Sequence, residues 1–140
     1  MHLQELVAKD PQVQVRFRAF PLSAECNPVL QRGGSPEKCR AAMAAQCANR
    51  QGRFWPFASF VFQHQTSLGE DLLSRGATEV GLDFGAFSTC MSDPATLQDV
   101  EEDAAAGGAL QIHGTPTMFL RGVAGDDWVE VCGGAQSAQL

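Results

Sequence analysis

The sequence reads as an α/β domain in which a block of helices lies between one strand and a β hairpin. Three features say so. Val13–Phe20 alternates apolar and polar side chains, the period-2 pattern of a strand with one buried face. Residues 35–108 carry a succession of helix start and stop signals. Gly114-Thr115-Pro116 is then followed by two short strand-like runs.

Taken in order, His2–Lys9 is a short helix or the tail of one, ended by Asp10-Pro11. Pro21 stops the strand, and Leu22–Gly34 is loop, with Asn27-Pro28 and Gly33-Gly34 as turn signals. Ser35-Pro36 supplies an N-cap and first position for an alanine-rich helix over Glu37–Asn49 that ends near Gly52. Phe54–Gln65 is a strongly apolar second helix, with Trp55, Phe57, Phe60 and Phe62 expected in the core. Ser67-Leu68-Gly69-Glu70 fits a capping box for a helix stopping at Gly81. Asp83 caps a short helix through Met91, and Asp93-Pro94 opens one that runs to Gly107-Gly108. The acidic run Glu101-Glu102-Asp103 on that helix is expected on a solvated face. Thr117–Arg121 and Trp128–Cys132 are strands, joined through Gly125-Asp126-Asp127.

The 140 residues suit one domain. Apolar residues make up 44% and charged residues 19%, a globular composition. A net charge of −6 and scattered basic residues argue against nucleic acid or an anionic membrane surface as partner. No apolar run reaches the roughly 18 residues a bilayer span requires, and the N-terminus lacks a cationic segment followed by an apolar one, so no export signal is read. Five cysteines nevertheless lean toward an oxidising compartment.

Several segments in order carry a family likeness. Phe20-Pro21-Leu22, the helix Cys39–Ala48, Gln51-Gly52-Arg53-Phe54-Trp55, Val61–Gln65, Val80–Asp83, Phe87–Met91 and Ile112–Leu120 resemble the DsbA-like thioredoxin family. Glu25-Cys26-Asn27-Pro28 with a later Cys39 is similar to the variants fused to vitamin K epoxide reductase homologues. The resemblance implies a thioredoxin fold with an inserted helical subdomain, here over residues 36–108. It implies thiol–disulfide exchange on unfolded or extended protein substrates in the periplasm or another extracytoplasmic space. It also implies a membrane redox partner of the vitamin K epoxide reductase or DsbB type. No cofactor, metal site or membrane insertion is expected.

The resembling family also has a first strand and a Cys-x-x-Cys at the head of the first long helix. Neither is found in the 140 residues, so the sequence reads as a truncated domain whose Met1 is an internal methionine or misassigned start. A missing first strand would leave a slot between Val13–Ala19 and Thr117–Arg121. The flanking strands would then close on each other, be filled by another chain, or promote self-association through open edges.

Exchange chemistry needs a thiolate favoured by its surroundings. No two cysteines here have the Cys-x-x-Cys spacing, so none is assigned as catalytic. Cys39 and Cys47 share a helix with a rise of about 12 Å between them, beyond disulfide reach. Cys26 with Cys39 and Cys47 with Cys90 are the structural disulfide candidates; free buried thiols are the alternative for each. Cys132 is read as a core thiol in a strand whose apolar residues face inward. In the resembling family the proline matching Pro116 is cis and lies against the redox pair, which makes Thr115 and Pro116 the expected substrate-binding residues. A trans proline at a strand start is the bland reading. His113, beside that loop, is expected to be solvated.

Three functions compete. One is a disulfide oxidoreductase domain, catalytically incomplete without its redox pair. A second is a redox-inactive module that binds extended peptides at Thr115-Pro116. A third is an enzyme similar to kappa-type glutathione transferases or 2-hydroxychromene-2-carboxylate isomerases, which share the inserted fold.

Overall fold

A computed structural model describes residues 2–122, 124–125 and 127–132, with residues 2–4 and 132 described by backbone alone. The helices are α1 (His2–Lys9), α2 (Pro36–Arg50), α3 (Phe54–Gln63), α4 (Glu70–Glu79), α5 (Phe84–Ser92) and α6 (Pro94–Ala109), and the strands are β1 (Met118–Leu120) and β2 (Val129–Cys132).

The core is organised around α2. Cys39, Met43, Ala44, Cys47 and Ala48 are buried on it, a spacing of four, one, three and one that lines a single helical face. This face takes Phe57 of α3, Leu73 and Ala77 of α4, Phe87 and Met91 of α5, and Val100 of α6 into one cluster. Small residues on α2 let four helices approach it closely. The helix stops at Gly52, whose φ of +71° is the left-handed conformation. There the Arg53 N–H bonds the Ala48 carbonyl at 2.9 Å and closes the last turn.

Capping follows the sequence at two of four starts. The Asp83 carboxylate accepts the Ala86 N–H at 2.7 Å, and Asp93 accepts the Ala95 N–H at 2.9 Å. Ser35 holds the N-cap position of α2 without a capping side-chain bond. The expected capping box at Ser67 is not formed: Ser67 ends a 3₁₀ turn over Gln65–Ser67, and the N-cap of α4 falls two residues later, at Gly69.

The largest departure concerns Val13–Phe20, which is not a strand. Its side chains keep the alternating pattern in part, with Val13 and Val15 half-buried, Gln14 and Arg16 exposed, and Ala19 buried. Residues 14–20 make no backbone–backbone hydrogen bond among the described residues. A strand is defined by its partner, and none lies alongside among the described residues. The segment is instead held by side chains, as described below. The one sheet among the described residues is the antiparallel pair β1–β2, with Met118 opposite Cys132, Phe119 opposite Glu130 and Leu120 opposite Val129. The register shift between the first two pairs leaves Val131 as the extra residue of a bulge. Across the hairpin ends, the Arg121 guanidinium lies over the Trp128 ring at 4.6 Å.

Inward-facing valines were expected on β2, yet Val129 and Val131 are 60% and 55% exposed. A two-stranded ribbon covers its faces only when another layer packs on it, and no helix of the core does so for these side chains. Phe62 is likewise exposed and Trp55 half-buried, while Phe57 and Phe60 are buried as core. The turn residue Asp126 and the Cys132 thiol lie outside the described residues or side chains.

Candidate functional site

The α6 helix ends at Ala109, and the chain turns through Gln111 at φ +56° into the exposed residues His113, Thr115 and Pro116. The Thr115–Pro116 peptide is cis. Beyond it the Thr117 hydroxyl donates to the Gly114 carbonyl at 2.6 Å, closing the loop on itself before β1 begins. The backbone N–H and C=O of Thr115 make no hydrogen bond among the described residues. The loop thus presents an exposed proline ring beside free backbone polar groups, an arrangement suited to receiving an extended chain.

Four of the five cysteines are joined in two disulfides. Cys26–Cys39 has its Cα atoms 5.9 Å apart and fixes the 22–34 loop to the start of α2. Cys47–Cys90 has its Cα atoms 5.8 Å apart and ties α2 to α5. Cys26, Cys39 and Cys47 are buried, whereas Cys90 is half-buried. None of these sulfurs is a free thiol able to open exchange with a substrate disulfide.

The loop closed by Cys26–Cys39 is unusually well satisfied for irregular backbone. Asn27 is fully buried; its Nδ2 donates to the Pro21 carbonyl at 3.0 Å, and its Oδ1 accepts the Val29 N–H at 3.1 Å. The turn signal at Asn27-Pro28 is therefore an internal polar staple, which is why this residue can be buried at all.

A second polar centre was not legible as such. Asp103 was expected in solvent with Glu101 and Glu102, but it is 7% exposed. One carboxylate oxygen accepts from Arg18 Nη1 at 2.7 Å; the other accepts the Ala19 N–H at 3.0 Å and Gln46 Nε2 at 3.3 Å. The reason is helical geometry. Thr96, Val100, Asp103 and Ala104 are the buried residues of α6, and that spacing puts Asp103 on the apolar stripe. Counting from Val100 and Ala104 would have placed it there.

Beside Asp103 lies a groove of about 480 Å³ between residues 15–18 and the ends of α2 and α3, lined by Val15, Phe17, Gln46, Phe54 and Trp55 among others. The Phe17 and Phe54 rings are 4.8 Å apart and Phe54 and Trp55 5.0 Å, so the groove has an aromatic wall. Sequence reasoning assigned Trp55 to the core and Phe17 to a strand; neither placement indicates a groove.

The helices around α2, the cis-proline loop and the hairpin that follows it form a thioredoxin-like fold. The chain belongs to the DSBA-like thioredoxin domain family, whose model matches residues 1–140. A thioredoxin-like oxidoreductase from Silicibacter pomeroyi superposes with a TM-score of 0.66 at 24% identity, over 99% of this chain and 70% of that one. Among curated proteins, the Na(+)/H(+) antiporter NhaA of Herminiimonas arsenicoxydans is 42% identical over 82 residues, 59% of this chain and 13% of the antiporter. NhaA 1 of Mycolicibacterium vanbaalenii is 32% identical over 109 residues, 76% of this chain and 16% of that protein. The chain therefore spans less than a fifth of the length of these relatives.

Proposed function

We propose that this chain is the substrate-receiving part of a DsbA-type thiol–disulfide oxidoreductase that acts on extended proteins outside the cytoplasm. The observation that carries the proposal is the exposed Thr115–Pro116 loop, whose Thr115 backbone makes no hydrogen bond among the described residues, set in a DsbA-family fold. An extended substrate segment would pair with that backbone and rest against the Pro116 ring. The aromatic groove at Phe17, Phe54 and Trp55 offers apolar surface for a less specific part of an unfolded substrate.

Exchange proceeds when a thiolate attacks a disulfide sulfur and the displaced sulfur leaves as a thiolate. With four cysteines bonded and no Cys-x-x-Cys in the 140 residues, this step needs a redox pair from outside them. Acting alone, the chain would be a peptide-binding module. Disulfides among its cysteines and the extracytoplasmic setting usual for the family support placement in an oxidising compartment. A membrane redox partner would reoxidise the complete protein. Sodium–proton exchange is not assigned to this chain: no helix among the described residues is long and apolar enough to cross a membrane.

Titration of the ¹⁵N-labelled chain with an extended, cysteine-blocked peptide tests the reading. Shifts concentrated at Gly114, Thr115 and Thr117, abolished in Pro116→Ala, are expected, with no multiple-turnover oxidation of a dithiol peptide above the rate of free cysteine. Binding that leaves this loop unmoved would overturn the assignment of the loop. Multiple-turnover oxidation at the rate of a complete oxidase would overturn the assignment of the redox pair to another segment.

A further inference from the structure

The two disulfides differ in electrostatic surroundings. Around Cys26 and Cys39, both buried, no hydrogen-bond donor lies against either sulfur among the described residues. Cys90 is different. Arg50 Nη1 is 3.4 Å from its Sγ, and the Thr96 hydroxyl is 3.5 Å from it. The guanidinium is held there by Asp99, at 2.8 Å from Nη2, and by Asp93, at 4.0 Å from Nη1. The Thr96 hydroxyl, in the first turn of the sixteen-residue α6, donates to the Cys90 carbonyl at 2.8 Å and so anchors that turn beside Cys90. A guanidinium N–H directed at the sulfur favours a thiolate over a neutral thiol.

We infer that Cys47–Cys90 is a second redox site of this chain, opened by dithiols and distinct from any chemistry at the Thr115–Pro116 loop. Accessibility and electrostatics divide the work between its two sulfurs. The thiolate of a dithiol reductant attacks the half-buried Cys90 Sγ. A mixed disulfide forms, the Cys47–Cys90 bond breaks, and Cys47 leaves into the core, where it takes up a proton. The second thiol of the reductant, as its thiolate, then attacks the reductant's own sulfur in the mixed disulfide. Cys90 leaves as a thiolate beside Arg50. Two electrons pass from the dithiol, which becomes a cyclic or paired disulfide, to the protein, which gains one thiol and one thiolate.

Stabilising the Cys90 thiolate stabilises the reduced form, so this disulfide is reduced more readily than Cys26–Cys39. Because it joins α2 to α5, its opening releases the one covalent tie between these helices and makes the helical block responsive to redox conditions. Of the four bonded cysteines Cys90 alone is half-buried, and Arg50 lies against its sulfur; these two features single out this pair.

The test equilibrates the whole chain in graded ratios of reduced to oxidised dithiothreitol, traps thiols by alkylation, and reads each cysteine by mass spectrometry. Cys47 and Cys90 should label at a less reducing ratio than Cys26 and Cys39. Arg50→Gln should move the midpoint of Cys47–Cys90 about tenfold toward more reducing ratios, leaving Cys26–Cys39 in place, and Arg50→Lys should restore most of the shift. Opening of both disulfides at one ratio, or of Cys26–Cys39 first, would overturn the inference. So would an Arg50→Gln variant that moves both midpoints together or neither. If Arg50→Gln fails to fold, raising the salt to about 1 M on the parent chain should move the Cys47–Cys90 midpoint toward more reducing ratios and leave Cys26–Cys39 in place, and no such shift counts against the site.

Discussion

The Asp103 carboxylate accepts the backbone N–H of Ala19 at 3.0 Å, across eighty-four residues of sequence, beside a segment with no strand partner among the described residues. This bond, with the Arg18 contact on the other oxygen, does for residues 14–20 what a β ladder would otherwise do. It gives a buried amide its acceptor and fixes the segment against α2 and α6.

Replacing Asp103 by alanine should therefore cost stability well beyond a surface ion pair. Arg18 is 69% exposed, so its share of the interaction is screened and small. The larger share is the bond from the buried Ala19 N–H, left without an acceptor, for a total of about 2–3 kcal/mol. Asp103→Asn keeps one oxygen acceptor and should lose less. Urea unfolding midpoints of the two variants check the order.

Gly34 offers a separate test of backbone strain. Its φ is +84°, and a Cβ placed on it would overlap the Leu22 carbonyl and the Ser23 backbone. Gly34→Ala must both adopt a left-handed conformation and push that backbone aside, a cost of at least about 2 kcal/mol. Gly33→Ala at φ +95° meets no atom within 4 Å and should suffer from the dihedral alone. Thermal unfolding that ranks the two variants equally would show that the loop yields.

The two disulfides close loops of different length, with sequence separations of 43 and 13. In the chain-entropy account the Cys47–Cys90 bond contributes about 4 kcal/mol and the Cys26–Cys39 bond about 3 kcal/mol. Removing the pairs one at a time by double alanine substitution should destabilise in that order in denaturant unfolding.

At the start of α2 the Glu37 carboxyl lies below its ordinary value of 4.5, chiefly because its own backbone N–H donates to it and secondarily through the Ser35 hydroxyl. A depressed folded-state value means a contribution to stability that is present above pH 4.5 and is lost as pH falls through the lower folded value. Glu37→Gln should thus be less stable than the parent at neutral pH, with the difference fading in acid. Chemical unfolding at a series of pH values measures it; a difference that persists in acid would assign the effect to something other than ionisation.

Sequence by itself determined the helices and most of their ends. Proline at Pro36 and Pro94, carboxylate caps at Asp83 and Asp93 and a stop at Gly52 are local signals, and local signals act through residues three or four apart, wherever the helix packs. The family likeness was legible too, because it rests on an ordered set of short motifs. Tertiary structure decided the rest, for one physical reason: strands, buried charges and reactive sulfurs are defined by neighbours far along the chain. Val13–Phe20 has a strand's alternation and no partner strand among the described residues, where side chains tether it instead. Asp103 became a buried anchor only when α6 turned that face toward Ala19. Cys90 acquired its cation only when α2 brought Arg50 across to α5.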